Sequence, residues 1–209
     1  MTTLIIARHG NTFGKGDTPT RVGARTDLPL VEKGREQAKA LGLYLRKNKL
    51  VPDVTYSSKL QRTIETAEIA VRAAGFPQPV FALDIFNEID YGPDENKTEE
   101  YVIARIGEKA IKDWDDHAIV PDGWLADPEQ MIKNWHDFAN QIRAHDDNET
   151  ILVVTSNGTG RFAPYLTCDF ESFRQNHDIK LSTGGLGIFK HENGAWRITD
   201  WNIKPPLPS

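Results

Sequence analysis

The reading of this chain turns on Thr3-Leu4-Ile5-Ile6-Ala7-Arg8-His9-Gly10-Asn11-Thr12. The run from Thr3 to Ala7 is apolar and β-branched and reads as a buried strand. It ends in a cation and an imidazole side by side. In α/β proteins the C-terminal ends of the strands are where ligands bind. Gly10, with no Cβ, is expected to let the backbone come close to a bound group. Arg8 supplies charge for an oxyanion, and His9 a nucleophile or a base. That pairing points to chemistry on a phosphate ester. By itself the tripeptide fits an ordinary loop or core histidine equally well, so the rest of the chain has to decide.

Working outward, the chain has 209 residues, room for one domain with a full core or for a core and a small cap. Apolar content of 39% and charged content of 26% are ordinary for a globular protein. The formal net charge is -5 and no basic run stands out, which argues against nucleic acid as the main partner. An anionic small substrate remains compatible, since a local arginine cluster can bind it on a mildly acidic surface. The longest apolar runs are about five residues, far short of a membrane span. A strand begins almost at residue 1, which leaves no room for a signal peptide. The single cysteine, Cys168, excludes an internal disulfide and a multi-cysteine metal site. A cytoplasmic location fits these features best.

Strands and helices alternate along the chain. Phe13 to Pro29 is polar, carries Lys15, Arg21 and Arg25, and is long enough to be a binding loop. A helix from about Val31 to Lys47 carries Ala38, Leu41 and Leu45 on one face, and Val54 to Ser57 reads as a strand. Leu60, Ile64, Ala67, Val71 and Ala74 mark a second helix, ended by Gly75. Val80 to Leu83 is a third strand. Residues 93–125 look less regular, rich in charge and Trp, and are expected to form a cap over the strand ends. Asp127-Pro128 opens a helix whose apolar face is Met131, Ile132, Trp135, Phe138, Ala139 and Ile142. Ile151 to Thr155 reads as a central buried strand. Gly187 to Lys190 and Arg197 to Trp201 form a hairpin around Glu192-Asn193-Gly194. With no repeat and no linker, the expectation is one α/β domain over residues 1–209, its sheet sandwiched between helices.

Four separated pieces fall at strand ends or helix starts, positions that a parallel sheet gathers at one edge. They are Arg8-His9, the segment Tyr56 to Arg62, Glu88, and Ser156-Asn157-Gly158-Thr159. Arg62 lies in a first helical turn, where free backbone amides also favour an anion. Asp90 competes with Glu88 as the carboxyl group. Asn11 either reaches phosphate through its amide or only stabilises the turn. Thr183 and Gly184 read as structural. His117, His136, His145, His177 and His191 have no motif around them.

The set resembles the histidine phosphatase superfamily, with its phosphoglycerate mutase-like fold. LIIARHGNT, DLPLVEKGREQAKALGLYL and VTYSSKLQRTIETAEIA are similar, in order, to that family's N-terminal half. FNEIDYG is similar to its acid-bearing segment, ILVVTSNGTGRF to its second catalytic segment, and LSTGGLGIFKHENGAWRITDWN to its last strands. The resemblance implies a three-layer α/β/α sandwich around a mostly parallel sheet. It also implies metal-independent hydrolysis of a small phosphomonoester, with no cofactor. In that reading neutral His9 attacks phosphorus and becomes phosphohistidine. Arg8 and Arg62 hold the phosphoryl oxygens, and Asn11, Asn157 and Gly158 complete the phosphate site. Glu88, preferred over Asp90 for its spacing to Gly92, protonates the leaving oxygen and then activates water.

The chain departs from the family pattern at Asn157, where the family carries a second histidine. A neutral amide donor in place of an imidazolium implies slower turnover, by roughly tenfold to a hundredfold, on the difference between charged and neutral hydrogen bonds. Against the family pattern the loop Phe13 to Arg25 is also about two residues longer than usual, with Lys15 where the family often has Asn. The longer insertions of the cofactor-dependent mutases are missing, which favours a phosphatase over a mutase. A weakly catalytic phosphate-ester binding or regulatory protein on the same scaffold is the alternative.

Overall fold

The computed structural model describes residues 1–143, 148–167 and 169–208, so His145 and Cys168 lie outside the described residues. The strands are β1 (Thr3–Arg8), β2 (Val54–Ser57), β3 (Val80–Ala82), β4 (Thr150–Thr155), β5 (Leu186–Glu192) and β6 (Ala195–Ile203). They form one six-stranded sheet in the order β3-β2-β4-β1-β5-β6. β3, β2, β4 and β1 run parallel, and β5 and β6 close one side as an antiparallel hairpin. The helices are α1 (Glu32–Lys47), α2 (Gln61–Ala73), α3 (Glu99–His117), α4 (Pro128–Arg143), the single turn α5 (Asn157–Gly160) and α6 (Phe170–Asn176).

β1 and β4 are apolar at almost every position because both faces of the sheet are covered. Successive side chains on β1 alternate between the two layers. Ile5 and Ala7 pack with Leu41 and Leu45 of α1 and with Ala67, Ala70 and Val71 of α2. Leu4 and Ile6 face the other way, into a cluster with Trp135, Phe138 and Ile142 of α4. The chain is thus a three-layer α/β/α sandwich with a mostly parallel sheet. The hairpin forms where expected and runs longer, with Asn193 and Gly194 at φ 53 and 82 in its turn. No helix among the described residues is long and apolar enough to cross a membrane.

The expectation of irregular structure in residues 93–125 needs correction, because α3 fills much of that stretch. Thr98 caps it, its side chain accepting from the Tyr101 N–H, and Glu99 and Glu100 suit the positive end of the helix. The periodicity is hidden by Gly107, whose φ of 82 and ψ of 155 interrupt the helix. Val102, Ile103 and Ile106 belong to one apolar phase before that break, Ile111 and Trp114 to another after it.

Candidate active site

Arg8 is the last residue of β1, so the chain leaves the sheet at His9, beside the end of β4. A cavity of about 520 Å³ opens there, lined by Arg8, His9, Asn11, Glu88 and Asn157 among others. Five of the residues expected in the site therefore share one wall. Arg62 and Gly158 are next to them without lining the cavity.

His9 is 7% exposed. Its Nδ1 lies 2.7 Å from the Gly10 carbonyl oxygen. A carbonyl can only accept, so Nδ1 carries the proton and Nε2 keeps its lone pair. Burial, reinforced by Arg62 and Arg8, holds the imidazole well below its ordinary value of 6.5. His9 is therefore a neutral, oriented base. Gly10 does not act as expected. A Cβ there would sit 2.3 Å from the Gly34 oxygen, so the missing side chain admits the backbone of α1 rather than a ligand.

Arg8 Nη1 donates to the Leu181 carbonyl at 2.9 Å. Arg62 is fully buried. Its Nη1 donates to Thr26 O at 2.9 Å, and its Nη2 to Val22 O and Gly23 O at 3.3 and 3.2 Å. Those bonds pin the Phe13 to Pro29 loop against α2. The Nε groups of Arg8 and Arg62 are both buried without a hydrogen-bond partner among the described residues. The free helical amides expected beside Arg62 are not free at the first position, because Gln61 N–H donates to Asp27 Oδ1 at 2.8 Å.

Glu88, 6% exposed, accepts from Ile89 N–H at 2.9 Å and from Gly158 N–H at 3.1 Å. Gly158, expected on the phosphate, thus turns its amide to the acid. A Cβ at Gly158 would lie 2.1 Å from Glu88 Oε1, so only glycine leaves room for this carboxylate. The Thr155 and Thr159 hydroxyls donate to Phe86 O and Asn87 O, tying the segment before Glu88 to β4 and α5. Asp90 is held elsewhere. Arg25 Nε donates to it at 2.8 Å, and that bond keeps its carboxyl below the usual range.

Asn157 accepts from Leu181 N–H through Oδ1 at 2.9 Å, which fixes the amide and leaves Nδ2 as the end available to a ligand. Leu181 thus holds Asn157 with its N–H and Arg8 with its carbonyl. Asn11 is fixed by its backbone, which donates to Gln37 Oε1 at 2.8 Å and accepts from Val31 at 3.0 Å. Its side-chain amide is not needed for the turn. Gly184 N–H donates to His9 O at 3.1 Å, in keeping with a structural role, while Thr183 lines the cavity. Lys15 is exposed and outside the cavity lining. His9 is the one histidine of the described residues on the cavity wall.

Arg161 was not singled out from sequence. It is 1% exposed, lies 3.9 Å over the Trp114 ring, and lines the cavity. Burial draws its guanidinium down to about 10, so it stays cationic at neutral pH. A desolvated cation on an indole gains about 2 kcal/mol. The one available signal was an arginine four residues after Asn157, on the cavity side of a single helical turn. Glu95 was missed as well. It accepts from the N–H groups of Gly23 and Arg25 and from the Thr26 hydroxyl, anchoring the loop.

A profile of the histidine phosphatase superfamily, branch 1, matches residues 4–204. A 2,3-bisphosphoglycerate-dependent phosphoglycerate mutase of Arthrobacter is 34% identical over 216 residues, covering 98% of this chain and 84% of that protein. The corresponding mutase 2 of Gloeobacter violaceus is 33% identical over 116 residues, 54% of this chain and 51% of that protein. The chain spans about half the length of the first curated relatives it matches. Among solved structures, a mycobacterial glucosyl-3-phosphoglycerate phosphatase superposes with a TM-score of 0.77 at 20% identity, covering 97% of this chain and 99% of that one. The phosphoserine phosphatase of Entamoeba histolytica gives 0.73 at 23% identity, with 97% and 98% covered. The ordered motifs, the sheet that gathers them and the profile match over nearly the whole chain agree: this protein belongs to the histidine phosphatase superfamily.

Proposed function

We propose that the chain is a phosphatase that hydrolyses a small phosphomonoester through a phosphohistidine on His9. The observation that carries this reading is the state of His9. It is a buried neutral imidazole with Nδ1–H fixed on a carbonyl, beside two guanidinium groups whose buried Nε donors lack partners. Unpaired buried donors are costly unless a ligand completes them. A phosphoryl group in the cavity supplies an acceptor to the Arg8 guanidinium, which lines it, while Arg62 stays behind the wall.

In the first step the His9 Nε2 lone pair forms the N–P bond, the bond from phosphorus to the ester oxygen breaks, and Glu88 gives that oxygen its proton. In the second, Glu88 takes a proton from water, the resulting oxygen attacks phosphorus, the N–P bond breaks, and phosphate leaves with His9 neutral again. Arg8 faces the phosphoryl oxygens from the cavity wall. Arg62 adds charge from behind it. Asn157 Nδ2 and the Asn11 amide are the neutral donors. Residues 93–125, with α3 at their centre, act as the cap over the leaving group.

The phosphoglycerate mutases among the relatives make transfer to a second hydroxyl the competing outcome on the same His9 chemistry. One experiment tests both. Protein quenched in acid after mixing with phosphate-labelled aryl or alkyl ester should carry acid-labile, base-stable label, and His9→Ala should carry none. Turnover should release inorganic phosphate and survive a chelator. Label persisting in His9→Ala removes the histidine from its role, and transfer without phosphate release makes the chain a mutase.

A further inference from the structure

Beyond the residues given roles above, the cavity wall carries three cations, Arg21, Arg161 and Lys180, and two carboxylates, Glu99 and Asp115. Arg21 Nη2 donates to both oxygens of Glu99, at 2.9 and 2.7 Å. Lys180 Nζ donates to Asp115 Oδ2 at 2.7 Å. Arg161 makes no hydrogen bond to a carboxylate among the described residues, and it shares Asp115 with Lys180 as an ion-pair partner. Its Nη1 donates to the Trp114 carbonyl and its Nε to Asn157 O at 3.4 Å. The carboxylate nearest its Nη2 is Asp115, at 3.9 Å, beyond hydrogen-bonding distance. The guanidinium is therefore held over the Trp114 ring, its Nη2 making no hydrogen bond among the described residues and facing the Asp115 carboxylate only at ion-pair distance.

A 1% exposed guanidinium with one donor group left without an acceptor is unfavourable for the empty protein, because the cost of desolvating a donor is offset only by a hydrogen bond. The acceptor that Nη2 lacks is supplied by one anionic group entering from the cavity. Its geometry is set by a planar guanidinium edge, and Lys180, 45% exposed at its side chain, stands across Asp115 from it. A planar monoanion suits that edge best.

We propose that Arg161, assisted by Lys180, is a specificity-determining site that binds a carboxylate on the leaving-group part of the substrate. The proposal rests on the phosphatase reading in placing this carboxylate on the same molecule as the phosphoester.

The test compares ligands that differ only in the carboxylate. Binding is measured by calorimetry with 3-phosphonopropanoate and propylphosphonate, neither of which can be hydrolysed. Turnover is measured with the phosphate esters of 3-hydroxypropanoate and of propanol. The carboxylated phosphonate should bind the native protein about tenfold tighter, a difference of about 1.4 kcal/mol. The ratio of the two dissociation constants should collapse toward one in Arg161→Gln and fall severalfold in Lys180→Gln. Lys180 is half exposed, so its variant keeps the test standing should the buried Arg161→Gln fail to fold. Equal binding of the two phosphonates by the native protein overturns the proposal, and so does a ratio unchanged in Lys180→Gln and in a folded Arg161→Gln. Binding preference without turnover of either ester sinks the phosphatase reading and leaves this site standing. Turnover of both esters with no binding preference does the reverse.

Discussion

At the scale of single residues, Asn157 is the position where the structure changes an expectation most. From sequence, a histidine there would restore a cationic donor. The Leu181 N–H, however, points at this side chain and needs an acceptor. A histidine would accept it through Nδ1 and be held neutral, offering one Nε2–H much as asparagine offers Nδ2. Asn157→His should therefore change kcat by less than about tenfold, below the gain a charged bond would bring. Asn157→Ala removes the donor and should lower kcat by about 10²-fold or more. Asn157→Asp keeps the acceptor but puts a negative charge toward the phosphoryl group, and should be slowest. Rates for the four proteins on one alkyl phosphate, ranked in that order, check the assignment; an alanine variant as fast as the native chain removes Asn157 from the chemistry. His9 governs the acid side of the pH profile. Its folded value lies well below 6.5, so loss of the neutral nucleophile begins only below that pH. After correction for the substrate's own second ionisation, near about 6, kcat/KM should hold down past pH 6.5. Stability has the same sign. Between the lowered folded value and the unfolded value of about 6.5 the unfolded chain binds more protons. The His9 contribution is thus fully present above pH 6.5 and lost as pH falls through the folded value, which denaturant midpoints across that window would show.

At the scale of elements, α5 and the segment carrying Glu88 behave as one unit. Glu88→Gln should impair alkyl phosphates far more than aryl phosphates, because phenolates leave without a full proton. A methyl group at residue 158 would collide with Glu88 Oε1 at 2.1 Å, so Gly158→Ala should reproduce that leaving-group pattern without touching the carboxyl itself. Equal losses on both ester classes in either variant would give Glu88 a binding role instead. Much of this unit was legible. The strand before Arg8-His9, the strand before Asn157 and the start of α2 all carry short-range patterns of burial and turn. Arg161 was not legible, because an arginine closing a single helical turn reads as solvated until Trp114 is brought over it from α3. Nor was α3 itself, since Gly107 shifts the apolar phase midway. Gly107→Ala would force a side chain into φ 82, in open space with no clash. It should cost about 1–3 kcal/mol, from the backbone alone, because φ 82 with ψ 155 is a conformation essentially confined to glycine. The urea midpoint gives that cost, and a neutral effect would mean the two halves of α3 can rejoin as a straight helix.

At the scale of the whole molecule, the parallel order β3-β2-β4-β1 brings Arg8, the start of α2 and Asn157 to one edge, and Thr155 and Thr159 hold the Glu88 segment there. That gathering was readable because both faces of the sheet are apolar, so a continuous hydrophobic run marks each central strand. What covers the edge was not readable, because the cavity wall is built from charged pairs that sequence alone cannot match. Arg21 with Glu99 and Lys180 with Asp115 each join positions distant in the chain.

The contact between Arg161 and the Trp114 ring, at 3.9 Å, also makes the protein its own optical probe. Indole emission responds to charge beside the ring. Trp114 is the one cavity-lining residue among the five tryptophans, and Trp196 and Trp201 lie near β5 and β6. An anion that neutralises Arg161 should therefore alter the intrinsic fluorescence before any bond is broken, with no label and no product to detect. Trp114→Phe should be blind to the same event while the remaining indoles still glow.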